Sequence, residues 1–314
     1  MDQRLFAACD IGGTKIDAVL FDAEGHLLRR VVRPGGTVLE LGFDVAVARY
    51  LAALRELIAA ADGRPIAAFY GGIACATFTE GALPRVLREE LPEPAVMRIE
   101  SDGPCLISGR LGHADGASMI CGTGSSLCVR HGDEYHYIGG WGWVIDSCGS
   151  GFILGRDAVR RVIRAYDGRL PATMMTGLLE KKCGEPVWEH IGKLYAGGRA
   201  YFASMAEVVF EARAAGDPAA IEIFNSNVKD LADMAAAAYR EFGHGYELIL
   251  NGGIFTHFPE YAAALQALCP PGVRTVMAEL PPVYGGAVEA LYDAGLTPTP
   301  DFRNNFLSGY DAKK

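Results

Sequence analysis

Leu5 to Asp10 is a short apolar run closed by an acid, and Ile11-Gly12-Gly13-Thr14-Lys15 follows as a glycine-rich turn. A second apolar run, Ile16 to Phe21, leads into the turn signal Asp22-Ala23-Glu24-Gly25, and a third covers Leu27 to Val32. This pattern predicts strand, turn, strand, turn, strand. Val47, Tyr50, Leu51, Leu54, Leu57 and Ile58 then recur at helical spacing, and Ile66 to Ile73 reads as a buried strand.

The pattern returns further along. Ala117 to Cys121 is apolar, Gly122-Thr123-Gly124-Ser125-Ser126 is glycine-rich, and Leu127 to Arg130 is a strand closed by the turn His131-Gly132-Asp133-Glu134. Helices are predicted from about Phe152 to Tyr166 and Pro218 to Phe242. Tyr246 to Leu250 is a strand ending in Asn251-Gly252-Gly253, and Pro282 to Leu291 holds a tight turn and the start of a last helix. Residues from Gly295 on are polar and read as a loose tail. The chain therefore reads as two copies of one α/β unit, each opening with a hairpin bent around glycines, with the boundary near Leu111 to Asp115.

Composition narrows the partners. The 314 residues carry 38 acidic and 29 basic side chains, a formal charge of -9. Half of them are hydrophobic, enough for two domains with sizeable cores. No basic stripe offers itself to nucleic acid or to an anionic membrane, and no apolar run reaches the ~18 residues of a membrane helix. The opening apolar stretch is too short for a signal-peptide core. The 8 cysteines are scattered, with no CxxC pair, which predicts a reduced, cytoplasmic protein without a disulfide frame or zinc knuckle.

The two glycine turns point to phosphate. Glycine lets the backbone approach a ligand closely, and successive N–H groups can converge on one anion. Thr14 and Thr123 add hydroxyl donors, Lys15 adds charge, and Asp10 can hold a water on Mg²⁺. The nucleotide-binding set is Gly12, Gly13, Thr14, Lys15, Gly122, Thr123, Gly124 and Ser125. Gly252 and Gly253 let the backbone pass close to adenine or ribose. A P-loop is excluded because Gly192-Lys193 lacks its upstream glycine, and no GxGxxG opens a Rossmann unit.

Taken in order, Asp10-Ile11-Gly12-Gly13-Thr14-Lys15, Gly122-Thr123-Gly124-Ser125, Gly139-Gly140-Trp141-Gly142 and Pro281-Pro282-Val283-Tyr284-Gly285-Gly286-Ala287 resemble the N-acetylglucosamine kinase branch of the BadF/BadG/BcrA/BcrD ATPase family, within the sugar kinase, Hsp70 and actin superfamily. The resemblance covers about residues 5 to 292. It implies an α/β fold of two ribonuclease-H-like, actin-like ATPase domains, 1–114 and 115–314, flanking a nucleotide cleft. It also implies ATP with Mg²⁺, a small-molecule sugar substrate and a homodimer. A sugar kinase needs a carboxylate to take the hydroxyl proton. Asp102, after the β-like Val96 to Ile99 and before Gly103-Pro104, stands where the family keeps that base; helix capping is a compatible second role.

The pattern breaks on the sugar side. The family's acidic pair after Gly-Gly-Trp-Gly falls here on Ser147-Cys148, with Asp146 one place early, and its sugar-binding Asn is replaced by the stretch Pro34 to Leu39. Gly140, Trp141, Asp146 and Thr123 remain as sugar contacts. Two other functions stay open on this scaffold: an ATPase that activates a partner enzyme, whose iron–sulfur cysteine set is not evident here, and a non-catalytic nucleotide or sugar sensor.

Overall fold

The computed structural model describes residues 4–132 and 134–312. Asp133, in the turn expected between His131 and Glu134, lies outside them. The chain forms two compact units, Met1–Asp115 with Ala278–Lys314, and Gly116–Met277.

The first unit is built on a five-stranded sheet in the order β3-β2-β1-β4-β5. Its strands are β1 (Leu5–Ile11), β2 (Lys15–Asp22), β3 (Leu27–Pro34), β4 (Ile66–Ile73) and β5 (Pro94–Glu100). β1, β2 and β3 pair antiparallel, whereas β4 runs parallel to β1 and β5 parallel to β4. The period-two alternation of β1 feeds two cores. Leu5, Ala7, Cys9 and Ile11 pack with the helix Phe43–Ala59 through Tyr50, Leu54 and Leu57. Phe6 and Ala8 face the opposite way, into a cluster with Val19, Phe21, Tyr284, Phe302 and Phe306.

That second core corrects two expectations. The last segment belongs with the first unit, not with a domain spanning 115–314, and it is not a loose tail. Phe302, Phe306 and Tyr310 recur every fourth residue along the helix Phe302–Ala312, so one stripe of that helix is apolar. Phe302 and Phe306 meet Phe21 edge-on at ring-centroid distances of 5.9 and 6.2 Å. The preceding helix Pro282–Asp293 packs in backbone contact on the helix Gly103–Leu111. A side chain at Gly285 would overlap the Cys105 carbonyl, which gives the Gly285-Gly286 pair a packing role.

The second unit repeats the sheet with the order β10-β9-β6-β7-β8. Its strands are β6 (Gly116–Cys121), β7 (Ser125–His131), β8 (Glu134–Ile138), β9 (Glu247–Asn251) and β10 (Arg274–Met277). The pairing scheme is the same: an antiparallel β6-β7-β8 meander, then β9 and β10 parallel to β6. Leu127, Val129, Leu248 and Leu250 pack against helices Gly151–Tyr166, Ala206–Ala214 and Pro218–Phe242. Asp217 starts the longest helix: its Oδ1 accepts the Ala219 and Ala220 amides at 2.9 and 3.0 Å.

Candidate functional site

Each unit presents its first hairpin turn with the acceptors engaged and the donors open. In the first unit the turn Gly12–Thr14 joins β1 to β2. Gly36 N–H donates to the Gly12 carbonyl and Gly35 N–H to the Thr14 carbonyl, each at 3.0 Å. Gly35 must be glycine, because a side chain there would overlap the Gly12 carbonyl and the Lys15 amide. Among the described residues the Gly13 and Thr14 amides donate to no acceptor, and Gly13, Thr14 and Lys15 are exposed.

The second unit reaches the same state with different neighbours. Gly151 N–H, at the start of helix Gly151–Tyr166, donates to the Gly122 carbonyl at 2.8 Å, and Phe152 N–H to the Thr123 carbonyl at 3.2 Å. Among the described residues the Thr123 and Gly124 amides are left without an acceptor. Parallel pairing of Ile120 with Asn251 carries Gly252 and Gly253 to this turn. Gly252 has φ +111°, and a side chain on it would overlap the Cys121 carbonyl. The Gly253 amide lies 4.0 Å from where a Gly122 Cβ would stand. Ser125 is spent differently from expectation: it is buried and its hydroxyl donates to the Cys148 carbonyl.

The first unit also holds two carboxylates in one electrostatic environment. Asp10 lies near the end of β1, in register with Gly72 of β4, which is in turn in register with Glu100 of β5. Asp102 follows two residues later and begins the helix Gly103–Leu111. Gly72 stands between them: a Cβ on it would lie 3.7 Å from the Asp102 Cα and would crowd the Cys105 thiol. Sequence reasoning passed over Gly72, although a glycine inside a buried strand signals such a close approach. The Asp102 carboxylate does not cap its helix; it accepts the Ser101 hydroxyl at 3.1 Å. Burial raises its pKa above the usual carboxylate range, against the hydrogen bonds of its own amide and Ser101. Burial, with the charge of Asp102 next, lifts Asp10 to about 7, partly opposed by Lys15.

Lys15 is tied to a cluster absent from the sequence reading. Its Nζ donates to Asp17 Oδ2 at 3.0 Å. Asp17 is fully buried and also accepts Arg30 Nε and Nη2 at 2.9 and 2.8 Å and the Tyr310 hydroxyl at 2.6 Å. Burial alone would raise the Asp17 pKa; the bonds to Arg30, Tyr310 and Lys15 outweigh it and hold the carboxyl below its ordinary value. Glu40 also went unnoticed. Its carboxylate accepts the Thr37 amide at 3.2 Å and lies 3.3 Å from a Cβ position on Gly13. The Thr37-to-Glu40 spacing of a capping box was the available signal.

Of the residues expected to meet sugar, Thr123 lies in the turn between β6 and β7, and Gly140, Trp141 and Asp146 lie in the loop after β8. Gly139, Gly140 and Gly142 all have positive φ, and a side chain at Gly140 would overlap Ser126. Trp141 is 62% exposed, so it is no core residue; Trp143 meets the Phe152 ring edge-on at 5.4 Å. The Asp146 amide donates to the Gly142 carbonyl at 2.8 Å, and its carboxylate accepts the Cys148 thiol at 2.9 Å. Burial, then that carboxylate, pushes the Cys148 thiol up to about 12. Among the described residues no group of three or more His, Cys, Asp or Glu side chains is arranged to hold a metal ion.

Comparison with known proteins adds to this geometry. The chain is 26% identical over 282 residues to the N-acetyl-D-glucosamine kinase of Dictyostelium discoideum, covering 81% of this chain and 86% of that one. It is 23% identical over 233 residues to the glucosamine kinase GspK of Vibrio cholerae, covering 73% and 78%. A candidate N-acetylglucosamine kinase of Chromobacterium violaceum superposes with a TM-score of 0.71 at 22% identity, over 91% of this chain and 98% of that one. A ROK family glucokinase of Streptomyces griseus, solved with glucose and AMPPNP, superposes at 0.57 and 19% identity, over 91% and 99%. These likenesses give the chain the mixed α/β, actin-like ATPase fold of the sugar kinases. The BadF/BadG/BcrA/BcrD ATPase family profile matches residues 9–290, and the chain belongs to that family.

Proposed function

We propose that this chain is an ATP-dependent sugar kinase that transfers the γ-phosphoryl group of ATP to a hydroxyl of an amino sugar, N-acetylglucosamine or glucosamine first among the candidates. The carrying observation is the combination in the first unit of a turn with open amides and two neighbouring carboxylates. Phosphoryl transfer asks mainly for positioning and charge compensation, and open amides beside engaged carbonyls suit a phosphate chain. The named activities of the Dictyostelium and Vibrio relatives support the same reading.

Each residue then has a role. The amides of Gly13 and Thr14, and those of Thr123 and Gly124, donate to phosphate oxygens, while Gly252 and Gly253 give the nucleoside room. Asp102 accepts the sugar hydroxyl proton; its raised pKa makes it a stronger base than an ordinary carboxylate. Asp10 holds a water of the metal that travels with ATP. A single such carboxylate fits Mg²⁺, which keeps most of its waters and takes its other ligands from phosphate. When bound, Mg²⁺ neutralises charge on the phosphates. Gly140, Trp141, Asp146 and Thr123 contact the sugar, with Trp141 exposed and available to a ring face. A homodimer is part of the same proposal.

The test is ADP release in a coupled assay over N-acetylglucosamine, glucosamine and neutral hexoses. Amino-sugar-dependent turnover that vanishes in Asp102→Asn is the expected result. Sugar-independent ATP hydrolysis, unchanged in that variant, would overturn the proposal.

A further inference from the structure

The second unit brings a cation to its glycine turn by a route that the sequence motifs do not show. The helix Ile191–Ser204 is broken at Gly198, where φ 61° and ψ −157° leave the helical region. Arg199 is the first residue past the break. Two contacts fix its direction. Before the break, His190 is buried, with Nδ1 2.6 Å from Glu185 Oε1 and Nε2 2.8 Å from the Tyr201 hydroxyl. This pair spans the break from one side to the other. Past the break, the helix lies in backbone contact with the helix Gly151–Tyr166: a side chain at Gly155 would overlap the Phe202 carbonyl, and a Cβ on Gly151 would sit 3.4 Å from that of Ala203. Gly151 and Phe152 are the residues whose amides hold the Gly122 and Thr123 carbonyls. The support of Arg199 and the support of the turn are thus one packed block.

From that block the Arg199 guanidinium reaches the turn. Its Nη2 is 3.7 Å from a Cβ position on Gly124, beside the open amides of Thr123 and Gly124. We propose that Arg199 is a phosphate-binding residue of the nucleotide site, adding charge and a planar fork of donors to the two amides. Glycine at 124 keeps the space in front of the guanidinium clear. The inference rests on the nucleotide reading above and names the residue that holds the phosphates in this unit. Arginine suits the task because its fork stays charged and meets two phosphate oxygens at once.

Calorimetric titration of ADP, adenosine and an amino-sugar phosphate into wild type, Arg199→Ala, Arg199→Lys and Tyr201→Phe tests it. Arg199→Ala is expected to weaken ADP about ten- to hundredfold and to leave adenosine within about twofold, because only phosphate contacts are lost. Arg199→Lys should recover part of the loss. Tyr201→Phe should weaken ADP about two- to fivefold by freeing the break. Should the alanine variant fail to fold, the lysine and phenylalanine variants carry the same comparison. ADP affinity unchanged in Arg199→Ala overturns the assignment, as does an equal loss for adenosine or a loss confined to the sugar phosphate. Wild type that binds no ADP removes the nucleotide reading along with it.

Discussion

The two hairpin turns reach the same electronic state by different means. In the first unit the loop Gly35-Gly36 takes up the carbonyls; in the second, the start of helix Gly151–Tyr166 does so. What surrounds them differs more. The first turn has Asp10 and Asp102 beside it, both pushed toward protonation by burial, and a lysine leashed to buried Asp17. At the second, the nearest groups to a Cβ position on Gly124 are the Ser147 hydroxyl at 3.5 Å and the Arg199 guanidinium at 3.7 Å. The strand order is repeated in both units, and the surroundings of the turns are not: in the proposed function both turns bind phosphate, but the acid–base carboxylates belong to the first copy alone.

The division is broken most directly by Asp102→Asn. If chemistry resides in the first copy, turnover should fall about a thousandfold or more, while ADP affinity by calorimetry stays within about threefold. Joint loss of both would merge the two roles. The next largest effect is expected at Gly252, where alanine must take a positive φ and enter the space of the Cys121 carbonyl. Gly252→Ala should destabilise the protein by about 2–3 kcal/mol in denaturant unfolding and weaken ADP more than sugar. Unchanged stability would show that the turn has slack.

The smallest effect sharpens the contrast through pH. The folded protein holds the Asp10 proton up to about pH 7, whereas an unfolded chain releases it near the ordinary carboxylate value. Between those values the native state binds more protons, so stability falls as pH rises and levels off above about 7. Nucleotide-free protein should therefore melt a few degrees higher at about pH 5.5 than at about pH 7.5, and Asp10→Asn should flatten that slope in a thermal scan. A slope that survives Asp10→Asn would assign it elsewhere.

Much of this was legible in the residues. Period-two runs and glycine turns gave both hairpins, and the three- and four-residue spacings gave helices Phe43–Ala59, Gly151–Tyr166 and Pro218–Phe242, because these signals are local. What escaped depends on long-range packing. Gly72 matters only because strand register sets Asp10 and Asp102 on either side of it. Arg199 matters only because a break and a glycine-lined contact aim it. Asp17 and Tyr310 stand far apart in sequence yet share a 2.6 Å hydrogen bond. The helix Phe302–Ala312 did have a local signal, the fourfold spacing of Phe302, Phe306 and Tyr310, hidden by polar neighbours.

The return of Ala278–Lys314 to the first unit sets an order of events during synthesis. The second unit is continuous in sequence and can close while the ribosome is still at work. The first cannot: Phe6, Phe21 and Val19 wait without their aromatic partners until the final helix has emerged. A nascent chain stalled before residue 300 would thus carry a finished second unit and an unfinished first one, and chaperone demand should concentrate on the first.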